Sequence, residues 1–409
     1  MSITNNLKKF VFYWSHTSLV IRILVGLIAG ALLGIFVPSA SFVSLLGVIF
    51  VGALKSIAPI LVAVLVVSAL SKANRGIGSR FRTVIILYLL GTSVSAVTAV
   101  IGSDLFHVEM VLNDKIDSSS PGGLYDIFEN MLSNIVSNPV TSLSSGNYIG
   151  ILFWSVIIGF ALRKLGSETT KQIISEFADV LSLAVKWIIQ FAPFGILGLV
   201  FSSVSESGLG IFTTYGKLVC LLVGCMLFVA LVVNPFIVYL FLHKNPYPLV
   251  FKCLKESGVP AFFTRSSAAN IPINMQLCKE MGIDDKFYSV SIPLGSTINM
   301  EGAAITITVM TLSVCYTQGI EVSIPSALLL SLLSTLAACG ASGVAGGSLL
   351  LIPMACSMFG IPSDISMQAV AVGFIIGVIQ DSMETALNSS SDALFTITSE
   401  RHDQHQRKL

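Results

Sequence analysis

The chain has 409 residues, of which 54% are hydrophobic and 11% charged, and its formal net charge at pH 7 is +1. Soluble domains carry about 25% charged residues, so an ordinary soluble chain is excluded, and the near-zero charge offers no footing for nucleic acid. The apolar runs are long and continuous, which points to an all-α polytopic membrane protein and away from an alternating barrel.

In chain order the predicted spans cover about 18–37, 43–70, 83–102, 147–165, 176–203, 216–242, 288–318 and 364–395. The first is read as a retained span, because no A-x-A-like site is followed by a soluble domain. Two further segments, about 250–281 and 325–360, are too broken for ordinary spans and too apolar for ordinary loops. The seven cysteines are scattered without a CxxC pair and read as small buried hydrophobes. The five histidines lie at or beyond span ends, so His–Cys metal ligation is not expected.

Charge sets the orientation. Lys8, Lys9 and Arg22 precede or open the first span, and the link after it is uncharged. Lys72, Arg75, Arg80 and Arg82 follow the second span, and an acidic loop with Asp104, Glu109, Asp114, Asp117, Asp126 and Glu129 follows the third. Basic and non-basic links go on alternating through Arg163 and Lys164, Glu206, then Lys244, Lys252 and Lys255, to Arg401, Arg407 and Lys408. Both termini are therefore expected in the cytoplasm. Segment 250–281 is flanked by basic residues and enters from inside; segment 325–360 is flanked by Glu321 and Asp364 and enters from outside. Both read as re-entrant hairpins, tolerated at membrane depth only when buried in protein or lining a cavity. The loop 103–147 is expected to be exposed, and the tail after Ser399 solvated.

Four stretches carry polar chemistry. The first hairpin turns at Thr264–Pro272, where Ile271 before Pro272 disfavours helix and freed N–H groups can hold a carboxylate. Arg265 there is costly at depth unless used, whereas an ordinary Ser-rich link would not call for it. In the seventh span, Asn299-Met300-Glu301-Gly302 interrupts an apolar helix, with Gly302 easing unwinding. Carbonyls, Asn299 and Glu301 there suit an alkali cation, although a packing kink is the competing account. The second hairpin turns at Ala337–Leu350, with glycines that could expose carbonyls to a cation or, as the pair Gly343–Gly347, pack helices. A phosphate loop is a weaker reading, since no GKS or GKT follows.

In the last span Asp381, Thr385, Asn388 and Asp392 return to one face of a helix, and a carboxylate at depth requires a cation, an ammonium or a water-filled cavity. Thr92 and Ser93 sit mid-span in the third, where hydroxyls often bond back to their own backbone. Hairpin plus broken span, followed by hairpin plus polar span, makes an inverted repeat that places sites near the midplane.

The motifs TRSSAANIP, PLGSTINMEG, GASGVAGG and DSMETALNSSSD resemble the dicarboxylate/amino acid:cation symporter family, the sodium-coupled glutamate transporter homologues, over essentially the whole chain. The resemblance implies eight transmembrane helices, two re-entrant hairpins and a homotrimer with an elevator mechanism. Residues 1–249 would be mainly scaffold and trimerisation spans, with the third span and part of the sixth-span region joining the transport domain. Residues 250–399 would be the core of that domain and 400–409 a cytoplasmic tail.

The resemblance also implies roles for single residues. Asp381 would receive the substrate's α-amino group, and Asn388 with the backbone around Ser266 and Ser267 its carboxylate. Arg265, Ala303, Gly343, Val344 and Thr385 would adjoin the ligand. One sodium site would use Gly295, Asn299, Asn388 and Asp392; a second would use Thr297, Ala338, Cys339 and Ala341. A third would use Thr92, Ser93, Asn299 and Glu301. Glu384 stands where transporters of acidic amino acids have arginine, and Ala303 where they have threonine; Glu384 is expected to border the ligand and to accept a hydrogen bond from a substrate hydroxyl. Anionic substrates are therefore disfavoured, and the chain resembles the bacterial serine/threonine:sodium branch. Glu301 in place of aspartate puts the third sodium site in doubt.

The expected function is sodium-coupled import of serine and threonine across a bacterial inner membrane, with no catalytic residues. The alternatives are another small neutral amino acid such as alanine, a dicarboxylate, or proton coupling. An ion channel is another class. An intramembrane hydrolase is disfavoured: Asp381 and Asp392 lie about 16 Å apart along one helix.

Overall fold

A computed structural model describes residues 17–72, 79–112, 136–339 and 346–406. Among these, all regular structure is helical. The expected site residues Ala341, Gly343 and Val344 lie outside the described residues, as do Lys8, Lys9, Arg75, much of the acidic loop, Arg407 and Lys408.

The first half contains α1 (Leu19–Phe36), α2 (Ser44–Lys72), α3 (Ser79–Phe106), the short α4 (Pro139–Ser145), α5 (Tyr148–Leu165), α6 (Glu168–Gln190) and α7 (Ala192–Ser207). Side-chain caps start several of them: Ser18 accepts from the Ile21 amide, Asn147 from Gly150 and Ser167 from Thr170. The span expected over 176–203 is instead a pair, α6 and α7, bent by 54°. Pro193 in the first turn of α7 has no N–H to continue the ladder, so the helix breaks at Phe191.

The second half runs through α8 (Ile211–Phe228), α9 (Asn234–Leu242), α10 (Tyr247–Cys253), α11 (Val259–Thr264), α12 (Ser267–Glu280), α13 (Asp285–Ile298), α14 (Glu301–Thr317), α15 (Ile324–Ala338), α16 (Ile352–Ser357) and α17 (Ser363–Gln406). Two π-helical turns, Val229–Val233 and Leu254–Gly258, join α8 to α9 and α10 to α11. Each leads into an X-Pro pair, Asn234-Pro235 and Val259-Pro260. The Asn234 and Val259 amides bond five residues back, to the Val229 and Leu254 carbonyls. Widening the turn absorbs the missing proline donor without breaking the rod.

Five described helices are long and apolar enough to cross a membrane, or six if the bent pair is one span. Helices α1 and α15 are shorter apolar helices by the same measure. Three local expectations are corrected. Helix α12 runs through Pro272, so the first hairpin turns at Arg265–Ser266 and not over Thr264–Pro272. Its buried Asn270 and Asn274 anchor the helix on both flanks of the proline by donating to Ser389. Gly302 is helical, and the seventh span opens only at Asn299 and Met300. The tail is not solvated from Ser399: α17 continues to Gln406, with Glu400 and Asp403 buried. Arg80 explains this, since its guanidinium lies 2.8 Å from Glu400 and 3.0 Å from Asp284.

Packing sorts the helices into two groups. Helix α1 lies on α7, and α2 lies on α5, α6 and α7. Helix α3 instead packs on α14, α15 and α17, and the first hairpin wraps α17. Every residue of α14 from Glu301 to Cys315 is buried. The groups meet where α17 touches α2 and α7. There Phe50 and Phe374 stack edge to face, 5.3 Å between centroids, and the exposed Lys55 and Asp364 pair.

Candidate functional site

The break at Asn299–Met300 organises the centre. Both residues leave helical geometry (φ −96°, ψ 84° and φ −121°, ψ 53°), so α14 begins there without a side-chain cap of its own. Other helices supply the acceptors. The Met300 amide donates to Thr92 Oγ1 at 3.2 Å, and the Gly302 amide to Asn388 Oδ1 at 2.7 Å. A Cβ on Gly302 would lie 2.8 Å from the Glu384 Cα and carbonyl oxygen, so glycine is what lets α14 press against α17.

Around this break buried oxygens are left over. Asn299 Nδ2 donates to Asp392 Oδ1 at 2.9 Å and to Ser391 Oγ at 2.7 Å. Among the described residues Asn299 Oδ1 and Asp392 Oδ2 have no hydrogen-bond partner. Both residues are buried. Buried oxygens without donors are costly unless a cation or an ordered water takes them. Gly295 lies against this pair: a Cβ there would be 2.8 Å from Asp392 Oδ1. Tyr88 braces the same stretch of α17 by bonding Thr396 Oγ1 at 2.8 Å and the Asp392 carbonyl at 3.3 Å.

The other expected cation residues are less converged. Glu301 Oε2 accepts from Asn234 Nδ2 at 2.8 Å, while Oε1 has no partner among the described residues. The Thr92 hydroxyl donates to the Tyr88 carbonyl and accepts from Met300, and Ser93 bonds back to the Leu89 carbonyl. Thr297 bonds back to the Pro293 carbonyl. Cys339 follows the end of α15, its sulfur 3.6 Å from the Ile298 carbonyl, and Ala338 is buried beside it.

Among the described residues, the expected ligand residues lie where the first hairpin and the segment from Gly346 meet α17. Arg265 closes α11 in a left-handed conformation (φ 52°), a strain of roughly 1–3 kcal/mol for a non-glycine residue. Its Nε donates to Asp381 Oδ2 at 2.7 Å, and the Gly346 amide of the second hairpin donates to Asp381 Oδ1 at 3.3 Å. Ser266 caps α12 by accepting from Ala269, so the following amides form an open helix start. Among the described residues Asn388 gives its amide nitrogen only to the Met300 sulfur, at 3.5 Å. Thr385 bonds back to the Asp381 carbonyl. Ala303 is buried behind the break. A narrow open cleft reaches Arg265 and Asp381, lined also by Ile23, Ala192, Leu349 and Phe374.

Several polar residues of the site were not expected. Gln380, Thr306 and Ser348 all bond Glu384. Asn234 meets Glu301, and Ser257, Asn270, Asn274 and Ser389 form a buried network between the first hairpin and α17. Two of these were legible: Gln380 lies four residues before Glu384 on one helix face, and Asn234 is an amide in mid-span.

A family model described as "Sodium:dicarboxylate symporter family" matches residues 19–402. The chain is 54% identical over 397 residues to the serine/threonine transporter SstT of Streptococcus thermophilus, covering 97% of this chain and 98% of that protein. It is 54% identical over 397 residues, with the same coverage, to the serine/threonine transporter SstT of Streptococcus agalactiae serotype Ia. It is 53% identical over 390 residues to that of Bifidobacterium adolescentis, covering 95% of this chain and 91% of that protein.

Proposed function

The chain belongs to the sodium:dicarboxylate symporter family, and we propose that it is a multi-pass membrane symporter that carries serine and threonine with sodium. It is a transporter and not an enzyme. The observation that carries the reading is the succession along α17 of an ammonium-type acceptor, Asp381, a carboxylate bonded by three donors, Glu384, and Asp392, whose buried Oδ2 is left over beside Oδ1 of Asn299 from the break between α13 and α14.

In this reading the substrate's ammonium takes Asp381, whose Oδ2 now holds the Arg265 guanidinium. Its α-carboxylate takes the amides at the start of α12 and the Asn388 amide nitrogen. Glu384 turns away a side-chain carboxylate by like charge, which separates this chain from carriers of acidic substrates despite the family's name. Sodium, as co-substrate, takes Asp392 with Asn299, the Asn388 carbonyl and the Gly295 region. Thr297, Ala338, Cys339 and Ala341 serve a second sodium, and Thr92, Ser93, Asn299 and Glu301 a third. Arg265, Ala303, Gly343, Val344 and Thr385 border the ligand. Coupling requires only that sodium and substrate favour the same closed state.

We also propose eight spans and two re-entrant hairpins in a homotrimer of the bacterial inner membrane, with both termini cytoplasmic. Residues 1–249 would be mainly scaffold, with span three and part of the sixth-span region joining residues 250–399 in a domain that moves as an elevator. Purified protein in liposomes should take up labelled serine only with an inward sodium gradient, competed by threonine and not by aspartate. Uptake that is indifferent to sodium, or blocked by aspartate, would refute the reading.

A further inference from the structure

Glu384 has an arrangement that electrostatic exclusion alone does not require. Its Oε2 accepts from Thr306 Oγ1 at 2.7 Å, Ser348 Oγ at 2.8 Å and Gln380 Nε2 at 2.6 Å. The three donors come from different places: α14, the segment just after the second hairpin's tip, and the preceding turn of α17. All four residues are buried. Gln380 Nε2 also donates to Thr306 Oγ1 at 2.8 Å, which commits the Thr306 proton to Glu384. Two of the three donors, Gln380 and Thr306, are thus tied to each other as well as to Glu384.

Three donors on one oxygen leave the other, Oε1, without a hydrogen-bond donor among the described residues. A carboxylate oxygen only accepts. A small zwitterion with a side-chain O–H satisfies it, and one with a methyl group leaves it without a donor.

We propose that Gln380, Thr306 and Ser348 are positioning residues that hold Glu384 so that its free oxygen accepts the substrate's side-chain hydroxyl, and that this sets the preference for hydroxylated over plain small amino acids. The proposal rests on the serine/threonine reading above and names what makes that selectivity. It orders substrates by donor strength: serine and threonine first, cysteine with its weak S–H donor next, alanine last. Because Ser348 belongs to the second hairpin, the same hydrogen bond ties that hairpin's position to Glu384.

The test is sodium-driven uptake of labelled serine by wild-type protein and by Gln380→Leu, Ser348→Ala and Thr306→Val in liposomes, with alanine and threonine as competitors. Loss of one donor should raise the serine KM about tenfold with a smaller change in maximal rate, the scale of one hydrogen bond to a charged group. The ratio of alanine to serine inhibition constants should fall toward one. Thr306→Ser keeps the hydroxyl and should restore wild-type selectivity, which a packing defect would not. Equal weakening toward serine and alanine, or an unchanged serine KM in all three variants, would overturn the proposal. Wild-type liposomes that take up no serine on a sodium gradient would overturn the transport reading, and the proposal with it.

Discussion

Asp381 Oδ2 lies 2.7 Å from both Nε and Nη2 of Arg265, so a single carboxylate oxygen carries the whole guanidinium contact. The contact joins the tip of the first hairpin to the middle of the last helix. It also puts a protein cation where the substrate's ammonium is proposed to sit.

Replacing Asp381 by Asn removes the charge both cations need. Breaking such a pair by removing one partner costs about 3–5 kcal/mol. Serine binding is expected to be lost, with equilibrium binding of labelled serine as the measurement. Retained binding would refute the ammonium role.

Glu384→Arg places five N–H donors against the hydroxyls of Thr306 and Ser348 and the amide of Gln380. None of their committed protons then has an acceptor. The serine KM should rise at least about tenfold, and aspartate should become a competitor. An unchanged serine KM would mean that Glu384 does not face the ligand.

Asp392→Asn keeps the shape and removes the anion beside Asn299. The sodium concentration for half-maximal serine uptake should rise at least about tenfold, equivalent to about 1.4 kcal/mol. Titrating sodium at fixed serine checks this; an unchanged midpoint would remove Asp392 from the cation site.

Gly302→Ala forces a methyl onto backbone atoms of Glu384, at 2.8 Å, where no side-chain rotation relieves it. Overpacking of this kind costs about 1–3 kcal/mol. Both Tm and serine affinity should fall together, because the displaced backbone carries Glu384.

At the far end of α17, hydrogen bonding from Arg80 holds the Asp284 carboxyl below the usual carboxylate range. A depressed value contributes stability at neutral pH that is lost as pH falls through it. Arg80→Ala should therefore lower Tm at neutral pH, and the gap to wild type should narrow in acid. The serine KM should not move, since Arg80 is remote from the ligand residues.

Much of this was legible because the membrane makes polar residues conspicuous. Asp381, Asn388 and Asp392 share one helical face by spacing alone, and the break at Asn299 was visible as an amide and an acid inside an apolar run. What periodicity could not supply was which residues meet across elements. Thr306 and Ser348 reach Glu384 from separate elements, 42 residues apart in sequence by their numbers, and each alone looks like a hydroxyl that bonds its own backbone. Ile271-Pro272 misled for the opposite reason: the local bias was right, and the buried amides of Asn270 and Asn274 overrode it. The tail misled because Glu400 is polar in sequence yet pairs with Arg80, 320 residues earlier.

The join between the two helix groups has a bearing on speed. Along it lie a ring-on-ring contact, Phe50 on Phe374, and an ion pair, Lys55 with Asp364, whose carboxylate is largely in solvent. Exposed pairs contribute only about 0–1 kcal/mol, and apolar faces slide without leaving a donor or acceptor stranded. The ligand-holding groups, by contrast, are knitted by buried amides and hydroxyls. In the proposed elevator motion, resistance would be low where one body travels past the other, and stiffness high where the cargo rides.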